Sequence, residues 1–173
     1  MNLKVNFFDP AYRKELPRTD EEFGINDGLQ TGEGGGFAYT TTENGPTCWN
    51  AWVRNREKKE VQFVALDHNM VLYPSPSETY SLCDGMLYRE HEWLAFVELK
   101  VVGSNWIQEN IDQLSSTILL FHANHDYRLF KHRLAYAANR KHPNFHFSHK
   151  IQMNEFRSKT KFRLLVQNVI EVK

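Results

Sequence analysis

Residues 93 to 102, Trp-Leu-Ala-Phe-Val-Glu-Leu-Lys-Val-Val, constrain the fold more than any other stretch of the chain. Eight of these ten residues are apolar, too many for a strand left open to water on one face. Side chains alternate faces along an extended chain, so Glu98 and Lys100 point one way while Val97, Leu99 and Val101 point into a core on the other. A carboxylate and an ammonium inside so apolar a strand need a reason, because burying either unpaired is costly.

The surrounding pattern predicts a mixed sheet with helical cover. Val61 to Leu66 reads as a strand, which Met70 to Tyr73 extends or pairs with before a turn or crossing at Pro74 and Pro76. A strand across Ser81 to Tyr88 precedes the one at 93–102, and the polar Arg89-Glu90-His91-Glu92 between them suits a hairpin turn. Ile107, Ile111, Leu114, Ile118 and Leu119 recur at helical spacing, predicting an amphipathic helix from 105 to about 121 capped by Ser104 or Asn105. Leu134 to Ala138 can form another strand, and 157 to 172 reads as one strand or a bent pair. The first 30 residues are polar and broken by Pro10, Pro17, Gly24 and Gly28, with room for a short helix over 10–16. Gly32 to Gly36 reads as a loop, since no Gly-Lys-Ser/Thr follows to make a phosphate loop.

At 173 residues the chain fits one domain, here 1–173, with a core at about 60–140 and basic strands at 150–173. The opening residues lack a secretory h-region, and no apolar run approaches the ~18 residues of a membrane span, so the expectation is a cytoplasmic protein with no membrane partner. Cys48 and Cys83 form no Cys-x-x-Cys pair, and each reads as a small buried hydrophobe. The net charge of zero hides an asymmetry. Residues 1–126 hold 10 Lys+Arg against 19 Asp+Glu, and residues 127–173 hold 11 against 2. Such a basic block suits a polyanion-binding surface, although the two segments can also neutralise each other across one fold.

Across the hairpin, Asp84 can reach the face that carries Glu98 and Lys100. Two converging carboxylates suit Mg²⁺ or Mn²⁺, hard cations that take few protein ligands and keep several waters. A cation on Asp84 and Glu98 polarises a phosphate and acidifies a bound water, and Lys100 orients that water or neutralises developing charge. Glu-x-Lys by itself is common: Glu57-Lys58-Lys59 matches too, but in a solvated charge run with no apolar frame. A structural Lys–Glu ion pair, with Asp84 in a turn before Gly85, is the plain alternative.

Cys83-Asp84, then Phe96-Val97-Glu98-Leu99-Lys100 and a downstream helix with Gln113-Leu114, resembles the PD-(D/E)XK nuclease superfamily, also called restriction-endonuclease-like. The resemblance covers about residues 60 to 140, and its specific part is 83–114. It implies an α-β-β-β-α-β core with Asp on the second core strand and Glu-x-Lys on the third. It also implies Asp84 and Glu98 as metal ligands, Lys100 as the catalytic lysine and Gln113 as a helix glutamine beside the site. The proline that usually precedes the Asp is replaced by Cys83, and Glu43, Asp67 and Glu78 compete for the role of an additional acid.

The implied activity is metal-dependent phosphodiester hydrolysis, with DNA the favoured substrate and a homodimer or protein partner supplying specificity. Arg140 and Lys141, with a cationic strand face at Arg157, Lys159, Lys161 and Arg163, are the expected phosphate contacts. An edge strand protected by charge is the bland reading of that face. The histidines at 122, 125, 142, 146 and 149 show no zinc-site spacing and read as part of the same basic surface. Trp49, Trp52 and Trp106 read as core. The rival functions are an inactive nuclease fold that binds nucleic acid, and a protein-interaction module with an ion network at the three site positions.

Overall fold

The apolar run at 93–102 is the middle strand of a five-stranded sheet. In the computed structural model, residues 3–28, 36–70, 72, 80–141 and 150–173 are described. β4 (Gln62–Ala65), β5 (Gly85–Arg89) and β6 (Trp93–Lys100) run antiparallel in sequence, with the hairpin turn where the polar 90–92 segment predicts it. β7 (His132–Asn139) and β8 (Arg163–Val166) then add parallel to β6. Parallel neighbours need a long crossover, and helices supply both. α1 (Ile107–Asn124) links β6 to β7, and α2 (Lys150–Thr160) lies between β7 and β8.

A second sheet was not foreseen. β1 (Glu22–Asn26), β2 (Tyr39–Thr41) and β3 (Ala51–Arg54) come from the polar N-terminal region, and β9 (Val169–Glu171) joins them in the order β2-β1-β3-β9. β3 and β9 pair in parallel, the other neighbours antiparallel. The resulting architecture is mixed α/β with three layers. One core packs α1, α2 and the N-terminal Phe7 against the five-stranded sheet, through Val64, Met86, Leu94, Phe96, Leu114, Phe121 and Phe156. The other lies between the sheets, with Phe23, Ile25 and Val53 facing Phe63, Leu87, Val97 and Leu99. This double cover is why β6 is buried from Trp93 to Leu99.

Phe96 is the hub of the helix-side core. Its ring meets Phe7, Phe121 and Phe162 at 6.2, 5.5 and 5.6 Å between centroids, all tilted towards edge-on. Such pairs add ~0.5–1.5 kcal/mol each beyond the area they bury.

Several expectations are corrected. The stretch 157–172 is extended only from Arg163 onward, as β8 and β9 in different sheets. It begins with the last turn of α2, because Met153, Phe156 and Thr160 recur at helical spacing with Phe156 and Thr160 buried. Lys161 ends that helix in the left-handed region at φ 62°. Neither Ser104 nor Asn105 caps α1; Trp106 occupies the cap position, and Asn105 is itself left-handed at φ 55°. The helix allowed over 10–16 is a single 3₁₀ turn at Pro10–Tyr12, held by the Asp9 carboxylate accepting the Ala11 N–H. Before β4 the described residues hold the strands β1 to β3 and two 3₁₀ turns, at Pro10–Tyr12 and Pro46–Cys48. Trp49 and Trp106 are core, whereas Trp52 is half-buried under the Arg54 guanidinium at 4.1 Å. Cys48 is exposed and only Cys83 is buried. Met70 is buried outside any strand, and Leu72 is not in one. Val71, Tyr73, Pro74, Pro76, Glu78, residues 32–35 and the histidines at 142, 146 and 149 lie outside the described residues. Among those described, no helix is long and apolar enough to cross a membrane.

β1 shows why a short, glycine-containing segment can still be a buried strand. Trp49 lies flat on Gly24, so a Cβ there would stand 2.0 Å from the indole Cγ. Trp49 is anchored by its Nε1–H donating to the Glu43 carbonyl at 2.8 Å. Gly24→Ala is therefore expected to destabilise the protein by ~1–3 kcal/mol through overpacking, read from urea unfolding midpoints. A change within about 0.5 kcal/mol would contradict this packing.

Candidate functional site

Three strand ends converge at one edge of the five-stranded sheet: the end of β4, the start of β5 and the end of β6. Asp84 immediately precedes β5, and because Gly85 pairs with Val97, Asp84 stands across from Glu98. Its N–H donates to Glu98 Oε2 at 3.3 Å, and its Oδ2 accepts the Leu99 N–H at 2.6 Å. Its own carbonyl accepts from Leu66 at 2.9 Å, tying it to β4. Gly85 follows for a steric reason, since a Cβ there would meet the Phe63 ring at 2.5 Å. Three hydrogen bonds and one absent side chain thus set the position of Asp84.

Glu98 is 3% exposed, on the helix-side face, and Lys100 is one step further along that face. The Lys100 Nζ lies 3.3 Å from Glu98 Oε1 and 3.1 Å from Oε1 of Glu109 in the first turn of α1. Asp84, Glu98 and Lys100 are therefore brought together, as the alternation along the strand predicts. The Glu57 copy of the motif is an exposed turn, with Lys59 paired to Glu57 itself at 2.9 Å.

Burial dominates the electrostatics. It pushes the Asp84 carboxyl up to about 7, against the Leu99 hydrogen bond and with added repulsion from Asp27 and Asp67. Burial also raises Glu98, to about 9, with Asp84 repelling it and Lys100 opposing the shift. Lys100 is raised too: burial works against its charge, but Glu98 and Glu109 outweigh it. Cys83, fully buried, is pushed well up by burial and by Glu98, so it stays a protonated thiol. Two carboxylates that cannot comfortably both ionise suit a divalent cation, which supplies the charge they lack. Among the described residues no group of three or more His, Cys, Asp or Glu side chains is placed to hold a metal. The Asp84 and Glu98 carboxylates are the oxygens there that could take an ion keeping most of its waters.

Other predicted residues fall into two groups. Arg140 and Lys141 follow β7 directly beside Lys100: Asn139 pairs with Lys100, and the Arg140 N–H donates to the Lys100 carbonyl at 3.1 Å. Lys159, Lys161 and Arg163 do not join them. Arg163 pairs with Leu134, five residues back along β7 from Asn139, roughly 17 Å away at the usual rise per residue. With Lys159 in a helix and the Lys161 Nζ donating to the Ser158 carbonyl at 2.6 Å, no alternating cationic strand face forms.

Gln113 lies on α1, but its Nε2 donates to Ser81 Oγ at 3.2 Å, three residues before Asp84, and not to the carboxylates. The helix residue that does reach the site is Glu109, missed because nothing in the sequence distinguishes it from a solvated first-turn acid. Asp27, at the end of β1, was missed with its sheet. Of the additional acids considered, Asp67 stands near enough to raise Asp84, and Glu43 is exposed beyond β2. His122 and His125 are not part of a basic surface. His122 stacks on Tyr127 at 4.3 Å, and His125 Nε2 accepts the Phe7 N–H at 3.1 Å. No family model matches this chain, and neither a curated protein nor a solved structure shows significant similarity to it.

Carboxyls raised by folding contribute stability that is complete below their unfolded values and lost as pH rises through the folded ones. Asp84 and Glu98 place that window between about 4 and about 9. Stability is expected to fall across it by ~1.4 kcal/mol per pH unit for each proton the native state retains. Thermal unfolding of wild type and Glu98→Gln checks this, with a flatter profile expected for the variant. Identical profiles would contradict it.

Proposed function

We propose that this chain is a divalent-metal-dependent phosphodiesterase of the PD-(D/E)XK type, acting on nucleic acid and on DNA in preference to RNA. The observation that carries the reading is the placement of Asp84 opposite Glu98 on adjacent strands, with the Lys100 ammonium 3.3 Å from Glu98. The succession β4-β5-β6-α1-β7, with Asp at the start of the second of these strands and Glu-x-Lys ending the third, supports a restriction-endonuclease-like core.

Asp84 and Glu98 would hold Mg²⁺ or Mn²⁺, which supplies positive charge beside a phosphate and a more acidic water. The Leu99 N–H fixes one oxygen of Asp84 and leaves its carboxylate oriented without reorganisation. Lys100 neutralises charge that builds on the phosphoryl oxygens, and Glu109 holds the ammonium from its second side. Arg140 and Lys141 follow Asn139, the residue paired with Lys100; Lys141 offers a phosphate contact that carries no sequence information, and Arg140 would turn from the Cys48 carbonyl it bonds at 3.1 Å to offer another.

The test is cleavage of labelled single- and double-stranded DNA and RNA with Mg²⁺ or Mn²⁺. Asp84→Ala and Lys100→Ala are each expected to lower the rate by ~100-fold or more with folding intact. Arg140→Ala is expected to weaken substrate binding and reduce its salt dependence by about one counterion, with little change in kcat. Background rates for wild type on all four substrates would overturn the assignment. Metal-independent DNA binding would then indicate a binding module, and salt-insensitive protein binding an interaction module.

A further inference from the structure

A cavity of about 440 Å³ opens at the other end of the five-stranded sheet. It surrounds Tyr88 and Arg89, where β5 ends, roughly 17 Å along the strand from Asp84 at the usual rise per residue. The N-terminal segment, the start of β4, the β5–β6 turn and the loop after α1 all contribute to it. Its size falls within the ~300–1,000 Å³ typical of small-molecule sites.

One side is aromatic. Phe8 meets Tyr88 edge-on at 5.0 Å and stacks on Phe130 at 6.0 Å. The N-terminal strap that carries Phe8 is pinned by Phe7 N–H donating to His125, and by Asn124 bonding the Val5 N–H at 2.9 Å and the Leu3 carbonyl at 3.0 Å. The aromatic wall is therefore held in place before any ligand arrives.

The rim is charged. The Arg13 guanidinium donates to the Phe8 carbonyl at 3.3 Å, and its charge lies close enough to lower the Tyr88 hydroxyl against the burial that raises it, which sets it beside the rings. Arg89 donates to the Lys173 carbonyl at 2.6 Å. Among the described residues Arg13 has no ion-pair partner and neither does Glu60 on the opposite rim, while Glu57 and Glu92 lie within electrostatic reach of Arg89 and Glu90 also lines the rim. Asp126, also on the rim, is already paired with Arg128 at 2.8 Å.

We propose that this cavity binds a nucleoside monophosphate. The base lies against Phe8 and Tyr88, the phosphate is held by Arg13 and Arg89, and Glu60 accepts from a ribose hydroxyl or an exocyclic amine. A bare phosphate leaves the aromatic wall unused, and an uncharged aromatic leaves both guanidiniums unused. Flat π-faces tolerate any base, so recognition rests on the joint presence of ring and phosphate. The site is separate from the carboxylate pair and does not depend on its assignment.

Calorimetric titration of the protein in EDTA with AMP, GMP, CMP and UMP tests this, with adenosine and inorganic phosphate as controls. At least one nucleotide is expected to bind with one-to-one stoichiometry, and the two controls roughly 10-fold more weakly or worse. Arg13→Ala and Arg89→Ala are each expected to cost about 10-fold in affinity, and Asp84→Ala nothing. Leu129→Trp fills the mouth from a side chain 55% exposed and should abolish binding, which keeps the test decisive where Arg89→Ala disturbs the fold. No saturable binding of any nucleotide at about 1 mM overturns the proposal. So does binding that survives Leu129→Trp, or that Asp84→Ala removes.

Discussion

A carboxylate 3% exposed inside an eight-residue strand is the constraint from which the rest of this structure follows. Glu98 cannot be solvated there, so its surroundings must supply what water does not. They do so with the Lys100 ammonium, the Asp84 N–H and the proton that burial itself retains. Each solution restrains another element. Asp84 is held opposite Glu98 by the β5–β6 register, Lys100 is held by Glu109 on α1, and Arg140 is bonded to the Lys100 carbonyl at the end of β7. A hydrophobic residue at 98 would satisfy the core more simply, because replacing a buried ion pair with packed apolar groups is often neutral or stabilising. Glu98 thus carries a cost to stability that a packed apolar side chain would avoid.

The layered architecture explains how so polar a cluster survives. The second sheet covers the face of β6 that carries Val97 and Leu99, and the helices cover the face that carries Phe96 and Glu98. The cluster sits where the helix layer gives out, at the strand ends, so Lys100 keeps contact with water while Glu98 does not. The same sheet carries a cavity with an aromatic wall and a charged rim at its other end, beside the turn that joins β5 and β6.

Where local pattern and tertiary environment agree, the sequence was easily read. β6 and α1 have long periodic segments, and the pairing of Asp84 with Glu98 follows from the hairpin and the alternation of faces. The four-stranded sheet was not legible, because β1, β2 and β3 are only 5, 3 and 4 residues long and β1 contains Gly24. What makes them strands is packing, with Trp49 filling the space over that glycine. α2 was misread for the opposite reason. Arg157, Lys159, Lys161 and Arg163 alternate as a strand would, while the burial of Phe156 and Thr160 obeys the helix. The charge asymmetry was real, yet register divides it: β7 ends with Arg140 and Lys141 just past Lys100, the Arg140 guanidinium turning to the Cys48 carbonyl, and it carries Arg163 away. Glu109 and Asp27 were invisible because their importance lies only in what they face.

A cation site at Asp84 and Glu98 requires metal binding in the absence of substrate. Calorimetric titration with Mn²⁺ at neutral pH should reveal one saturable site in the wild type, lost in Asp84→Asn and in Glu98→Gln while both variants remain folded. Absence of saturable binding in the wild type, or undiminished binding in both variants, would contradict the account and leave the cluster a structural ion network.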